Sequence, residues 1–164
     1  HGVFKGTLPP PDDFLSTYKY VTLCVDVMFV NGVAFLITIS EHLCFGTVKD
    51  LPNRQPESFM EVLRPVIAAY FGRGFIVSVI KADSEFEPLR DSLRSYNPSI
   101  ELNAAPEGEH VPQLDRYIET VKERTRCHVA AAPWKFWPRL LIILAVASSV
   151  FWLNVFPANN LFAI

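Results

Sequence analysis

Two apolar runs joined by Asn31-Gly32 constrain the fold of this chain more than any other feature of its sequence. Residues 21–30 (VTLCVDVMFV) and 33–40 (VAFLITIS) are rich in β-branched and aromatic residues, which favour strands. Asn-Gly is a strong hairpin signal, because both positions of the two-residue turn need a positive φ. The sequence therefore predicts an antiparallel hairpin, and residues 43–49 (LCFGTVK) extend it to a three-strand meander.

The spacing of the apolar residues changes in the second half of the chain. Residues 57–71 repeat at helical spacing, although Pro65 lies inside this helix. The segments that follow predict a strand over 75–82, a short helix over 86–95, a short strand over 99–103, and helices over 113–130 and 134–156. The order β-β-β-α-β-α-β-α-α predicts an α/β fold, in which a mixed sheet of three antiparallel and two further strands carries helices on its faces.

Length and composition limit the class of protein. The chain has 164 residues, of which 50% are hydrophobic, and its net charge is −2. This composition excludes a disordered tail and a chain that binds nucleic acid through bulk positive charge alone. Lys and Arg outnumber Asp and Glu only between residues 115 and 139, so any basic surface is local.

The ends of the chain and its cysteines set further expectations. The Pro-rich residues 1–17 predict an extended lead-in. We expect residues 18–157 to form one domain and residues 158–164 to form a short tail. No signal peptide is visible, so we expect a protein that is not secreted, and a piece of a longer chain. The three cysteines form no C-x-x-C pair and predict buried free thiols: Cys24, Cys44 and Cys127.

Two acidic residues on the predicted strands are unusual. Asp26 lies in the middle of an apolar strand, where a carboxylate is costly unless it is paired, hydrogen-bonded or bound to a metal. Asp83 directly follows the strand at 75–82, and sites in α/β sheets collect at strand ends. On neighbouring strands the two carboxylates would repel each other unless a cation lay between them. Mg²⁺ and Mn²⁺ prefer such oxygen ligands.

The helix predicted over 113–130 offers a third acid. Asp115 and Glu119 are four residues apart and share a face, which Lys122 and Arg126 continue. One helix could therefore present a metal ligand followed by cations for phosphate, and an exposed helix with ordinary ion pairs is the alternative. Two strand-borne acids followed by a helix-borne acid are the layout of a ribonuclease H-like site, where two metal ions flank an in-line phosphoryl displacement.

Four segments resemble the integrase catalytic core of LTR retrotransposons, in particular that of Copia-like elements. They are VTLCVDVMFVNGVAFLITIS, KADSEFEPLR, EHVPQLDRYIETVKERTR and SSVFWLNVFP, and the resemblance spans about residues 18–157. It implies a ribonuclease H-like fold, an acidic triad with two Mg²⁺ or Mn²⁺ ions, and the joining of element DNA ends to target DNA. It also implies DNA as the partner, a homo-oligomer, and a nuclear location or one in a cytoplasmic particle.

The motifs of this family assign the acids residue by residue. The first acid corresponds to Asp26 and the second to Asp83, while the third is either Asp115 or Glu119. Asp115 fits the register of the family motif, although the family has Glu there, and Glu119 fits the usual gap of 35 residues after Asp83. We prefer Asp115. Because Asp is one methylene shorter than Glu, a catalytically dead nucleic-acid-binding remnant is the alternative to an active integrase.

A membrane anchor is a further alternative. Residues 140–156 contain 17 uncharged residues, which is the lower limit for a membrane helix. Ser148, Ser149 and Asn154 interrupt this run, and its end matches the last core helix of the family. We therefore expect a buried core helix and no stable membrane association.

Overall fold

The computed structural model describes residues 12–105, 111–133 and 135–156 of the chain. The strands are β1 (Tyr20–Val30), β2 (Val33–Ser40), β3 (Gly46–Asp50), β4 (Ile76–Asp83) and β5 (Glu101–Ala105). The helices are α1 (Asp12–Tyr18), α2 (Pro56–Phe71), α3 (Arg90–Tyr96), α4 (Pro112–Ala131) and α5 (Arg139–Val155), and a 3-10 helix (Ser84–Leu89) precedes α3.

The five strands form one sheet in the order β3-β2-β1-β4-β5. β1, β2 and β3 pair antiparallel as the predicted meander, whereas β1 pairs with β4 and β4 with β5 in parallel. Asn31 and Gly32 have φ values of 46° and 77°, which is the backbone that the hairpin signal requires. The predicted α/β fold with a mixed sheet is therefore confirmed, and β1 is its central strand.

Alternate side chains of β1 point into two separate cores, one on each face of the sheet. Leu23 and Val25 pack with the apolar residues of α2 and α3. Cys24 and Met28 pack on the opposite face with the apolar residues of α4 and α5. Since side chains alternate along a strand, Asp26 lies on the face that α4 and α5 cover.

The side chain of Asn154 binds helix α5 to the edge strand of the sheet. The Asn154 Oδ1 atom accepts a hydrogen bond from the Gly46 N–H at 2.8 Å, and its Nδ2 donates to the Gly46 carbonyl at 2.8 Å. The amide thus pairs with both backbone groups of Gly46, as a neighbouring strand would. No helix within the described ranges is both long and apolar enough to cross a membrane.

Several predicted boundaries change in the structure. The extended lead-in predicted for residues 1–17 is wrong at its end, where α1 begins at Asp12, and residues 1–11 lie outside the described part. The third strand begins at Gly46 rather than residue 43, because positive φ angles at His42 and Cys44 turn the chain first. The last helix, predicted from residue 134, begins at Arg139 because Pro138 stands at its N-cap. The predicted tail, residues 158–164, also lies outside the described part.

Candidate active site

The pairing of β1 with β4 brings two of the predicted acids together. The two strands run parallel, and their last paired residues are Cys24 and Lys81. Asp26 and Asp83 each lie two residues further along, so their backbones are level on adjacent strands. Asp83 is the last residue of β4, and this end of the sheet is where α/β folds place their sites.

Asp26 is half-buried, and several nearby negative charges raise its pKa. Its Oδ1 atom accepts a hydrogen bond from the Val27 N–H at 2.6 Å. Burial raises the pKa of Asp26 above its ordinary value, the Val27 hydrogen bond opposes this rise, and the charges of Asp83, Asp115 and Glu85 add to it. We call these four carboxylates, Asp26, Asp83, Glu85 and Asp115, the acidic edge.

Asp83 and Asp115, two residues of the acidic edge, lie on different elements, β4 and α4. The Asp83 side chain caps the 3-10 helix that follows β4, because its Oδ1 accepts a hydrogen bond from the Glu85 N–H at 2.8 Å. Asp115 lies in the first turn of α4, the helix that packs against β1 and β2. Glu119, the alternative third acid, is exposed one turn further along α4. Of these two acids, Asp115 is the one whose charge raises the pKa of Asp26.

The two predicted phosphate-binding cations follow Asp115 on the same helix. Lys122 is half-buried two turns after Asp115, and Arg126 is exposed one turn beyond Lys122. The spacing keeps all three side chains near one face of α4. A basic stretch therefore leads away from the acidic edge along one helix.

One charged residue of this site, Arg54, has no signal in the sequence. Its Nε donates to Glu85 Oε1 at 2.6 Å, and its Nη2 donates to Glu85 Oε2. The guanidinium carbon also lies 5.7 Å from the centre of the Phe29 ring, within the range of a cation–π contact. Arg54 and Glu85 are 31 residues apart and belong to no common motif, so only the fold brings them together.

The charge of Arg54 is stabilised by three carboxylates of the acidic edge, and not by Glu85 alone. The hydrogen bonds with Glu85 are the main cause of the raised pKa of Arg54, and partial desolvation opposes them. The negative charges of Glu85, Asp83 and Asp26 raise the pKa further. The guanidinium is therefore the counter-charge of Glu85, and the charges of Asp83 and Asp26, two of the carboxylates that the sequence assigns to a metal, also favour it.

The acidic edge has donor atoms that suit the metal predicted from the sequence. Carboxylate oxygens are suitable ligands for Mg²⁺ or Mn²⁺. Within residues 12–105, 111–133 and 135–156, however, no three His, Cys, Asp or Glu side chains stand together in a group that could hold a metal ion. The acidic edge thus has the right donor chemistry, but its side chains as placed do not fit a metal centre.

A second charged group lies beside the acidic edge, around the last paired residues of β1 and β4. Glu41 Oε1 accepts a hydrogen bond from Lys81 Nζ at 2.7 Å and one from the Cys24 thiol at 3.6 Å. Burial is the main reason why the pKa of Cys24 rises to about 12, so this thiol stays protonated and unreactive. The prediction of buried thiols is confirmed for Cys24 only, because Cys44 is half-buried and Cys127 is exposed.

Comparison with known proteins finds a match in structure and none in sequence. No family model matches the sequence, and no curated protein matches it. The catalytic core domain of BIV integrase, a solved crystal structure, matches with a TM-score of 0.64 over 84% of this chain and 85% of that chain. The chain therefore has the ribonuclease H-like fold of an integrase catalytic core.

The particular structure matched is retroviral, and its sequence is 14% identical to this chain. At this identity the likeness concerns the arrangement of helices and strands. The Copia-like resemblance comes from the sequence segments and belongs to the proposal below.

Proposed function

We propose that this chain is the catalytic core of a polynucleotidyl transferase of integrase type, from a Copia-like LTR retrotransposon. The reaction is attack of water or of a DNA 3′-hydroxyl on a phosphodiester, which joins element DNA ends to target DNA. The observation that carries this proposal is that Asp26 and Asp83 are level on adjacent strands of an integrase-like sheet, where the charge of Asp115 also raises the pKa of Asp26. Asp26 and Asp83 are its first two acids.

Asp115 is the third acid of this proposal, and Glu119 is the alternative. The supporting observation is that the charge of Asp115 reaches Asp26, while Glu119 is an exposed residue one turn away. An Asp in place of the family's Glu has a shorter reach. The two Mg²⁺ or Mn²⁺ ions that the resemblance implies stay a prediction, since the described acids do not fit a metal centre as they are placed.

The proposed partner is DNA, held through its phosphates. Lys122 and Arg126 on α4 are the proposed contacts, and contacts of this kind position DNA without reading its sequence. We therefore expect weak or non-specific choice of target. A homo-oligomer in the nucleus or in a cytoplasmic particle completes the proposal, in keeping with the resemblance to Copia-like integrases.

A catalytically dead DNA-binding remnant is the second candidate function. The observation that favours it is the bidentate pair of Arg54 and Glu85 beside Asp83, together with the lack of a metal-holding group among the described residues. Such a protein would keep the sheet and the basic face of α4 and would lose the reaction.

The test is strand joining in reverse on a branched DNA substrate, with Mg²⁺ or Mn²⁺ present. We expect product from the unaltered chain. Asp26→Asn should lower the rate of strand joining at least about 100-fold, because the removal of one group that acts by general acid–base or electrostatic catalysis typically costs that much. Asp115→Asn should lose as much, while Glu119→Gln, the matched control on the same helix, should keep its activity.

DNA binding measured in EDTA separates the two candidate functions. The remnant would be favoured over the enzyme by two results together. The folded unaltered chain would show no strand joining with either metal, and Lys122→Gln and Arg126→Gln would bind DNA more weakly than it does. If Glu119→Gln loses strand joining and Asp115→Asn keeps it, the third acid is Glu119 and not Asp115.

A further inference from the structure

A cavity of about 270 Å³ lies beside the C-terminal end of α2, between α1 and the segment that joins β2 to β3. Its lining is almost wholly apolar and includes Leu43, Val66 and Ala69. Among the described residues that line it, Arg73 is the only charged one. An apolar cavity with a single polar group is the usual form of a small-molecule site, and this one shares no residue with the acidic edge.

Four aromatic rings form much of the wall of this cavity, and each meets the next edge to face. Tyr70 lies 6.0 Å from Phe45 at 87° between the ring planes, and 6.5 Å from Phe75 at 81°. Phe14 of α1 meets Phe75 at 6.3 Å and 90°. The Tyr70 hydroxyl also donates a hydrogen bond to the Phe45 carbonyl at 3.3 Å. Because edge-to-face pairs stabilise each other, the rings hold the wall in place before any ligand arrives.

The positive charge of Arg73 is available to a ligand in this cavity. Arg73 lies two residues after the end of α2, and its Nη1 donates to the Ala69 carbonyl at 3.1 Å. No carboxylate of residues 12–105, 111–133 and 135–156 pairs with it. Since a guanidinium has five N–H donors, Arg73 has donors left for an anion.

We propose that this cavity binds a small amphiphilic acid, with its apolar chain against the four rings and its carboxylate at Arg73. Burial of the chain supplies most of the affinity, and the charge-assisted hydrogen bonds of Arg73 select an acid. Aromatic walls also suit organic cations, but a cation here would meet the like charge of Arg73. The inference stands apart from the proposed function, because the cavity lies away from the acidic edge.

The test is an NMR titration of the full chain with three probes that share an eight-carbon chain: octanoate, octan-1-ol and octylammonium. We expect octanoate to bind about threefold more tightly than octan-1-ol, which is the size of an ion pair at a surface. Octylammonium should bind most weakly. The amide signals that shift should be those of Tyr70, of Arg73 and of residues 43–47, which surround the cavity.

Two variants test the two parts of the site. Arg73→Gln should weaken octanoate binding about threefold and leave octan-1-ol binding unchanged. Arg64→Gln is the matched control, because Arg64 is also an exposed arginine of α2 but lies over the Tyr96 ring, outside the cavity. Ala69→Phe places a ring at an exposed position of the lining and should weaken the binding of all three probes. Thermal melting verifies that each variant is folded.

Several outcomes would overturn this inference. One is no binding of octanoate by the folded unaltered chain, and another is a set of amide shifts confined to α5. Octylammonium binding at least as tightly as octanoate, or equal octanoate affinity in Arg73→Gln and the unaltered chain, would remove the preference for an acid. Strand joining is measured separately, so an active chain that binds no octanoate would keep the proposed function and lose the inference.

Discussion

Tyr117 lies so close to Gly46 that position 46 has no room for a side chain. A Cβ atom at residue 46 would lie 1.9 Å from the Tyr117 hydroxyl, which shows why glycine stands there. The hydroxyl itself is buried, and no hydrogen-bond partner for it is found in the described structure. Burial also raises the pKa of Tyr117, so the group remains neutral. The Tyr117 ring therefore stabilises the fold through packing, whereas the buried hydroxyl without a partner lowers the free energy of unfolding.

Replacing Tyr117 with Phe should therefore keep or increase the stability of the protein. Removing a buried polar atom without a partner relieves its desolvation, so we expect a gain of up to about 1 kcal/mol in the free energy of unfolding. Urea denaturation measures this difference. Gly46→Ala is the contrasting variant and should lose about 1–3 kcal/mol through overpacking. A loss of stability in Tyr117→Phe would mean that the hydroxyl has a partner.

Asp26 is expected to lower the stability of the metal-free protein at neutral pH. Its raised pKa means that the folded state disfavours the charged form, so the cost is fully present above the folded-state pKa and vanishes below the unfolded value. Asp26→Asn should thus stabilise the protein at pH 7.5, and the gain should shrink as the pH falls towards 4. Urea denaturation in EDTA at both pH values measures it.

The exposed carboxylate of Glu119 provides the control for this prediction. Glu119→Gln, a substitution on the surface, should change the free energy of unfolding by less than about 0.5 kcal/mol. A gain for Asp26→Asn that is the same at both pH values would contradict the stated cause, which is the charge of Asp26.

How far the sequence predicts the site depends on the kind of signal at each residue. Asp26 stands out because alternation along a strand makes a carboxylate between Cys24 and Met28 unusual. Asp83 stands out because it ends an apolar strand. Arg54 gives no such signal, since a lone arginine in a loop is ordinary and its partner Glu85 is 31 residues away. Contacts made only by the tertiary fold leave no local pattern.

At the scale of the elements, α5 departs from what its composition suggests. An uncharged apolar run predicts a helix covered on most sides, yet α5 has one buried face, which packs against α4 and β3. Its outer side carries an exposed apolar stripe along the helix, made of Leu140, Leu144, Phe151 and Val155. The reason is the position of α5, which packs on the edge strand β3 and beside α4, so that the side turned away from both is exposed.

We expect the stripe on α5 to make the chain self-associate in solution. Contiguous exposed apolar surface drives association, so Leu144→Glu with Phe151→Glu should shift sedimentation towards the monomer while the melting temperature stays nearly unchanged. Val146, fully buried on the other side of α5, is the control, because Val146→Glu should unfold the protein. Unchanged sedimentation of the double variant would show that association, where present, uses another surface.

At the scale of the whole molecule, the sequence predicts the type and order of the elements well. The periods of two and of 3.6 residues differ clearly in β1, β2, α2 and α4, and these elements appear where they are expected. The order of the strands in the sheet has no such local signal. It follows from the parallel crossover that carries β4 to the side of β1, and this places the two strand acids next to each other.

The central position of β1 also determines when the acidic edge comes into being during folding. The meander β1-β2-β3 closes through neighbouring segments, so Asp26 can be set in its strand early. Asp83 reaches it only when a crossover through α2 closes a loop of more than 50 residues, which costs more chain entropy. We therefore expect the acids to meet late in folding, after the meander has formed around Asp26.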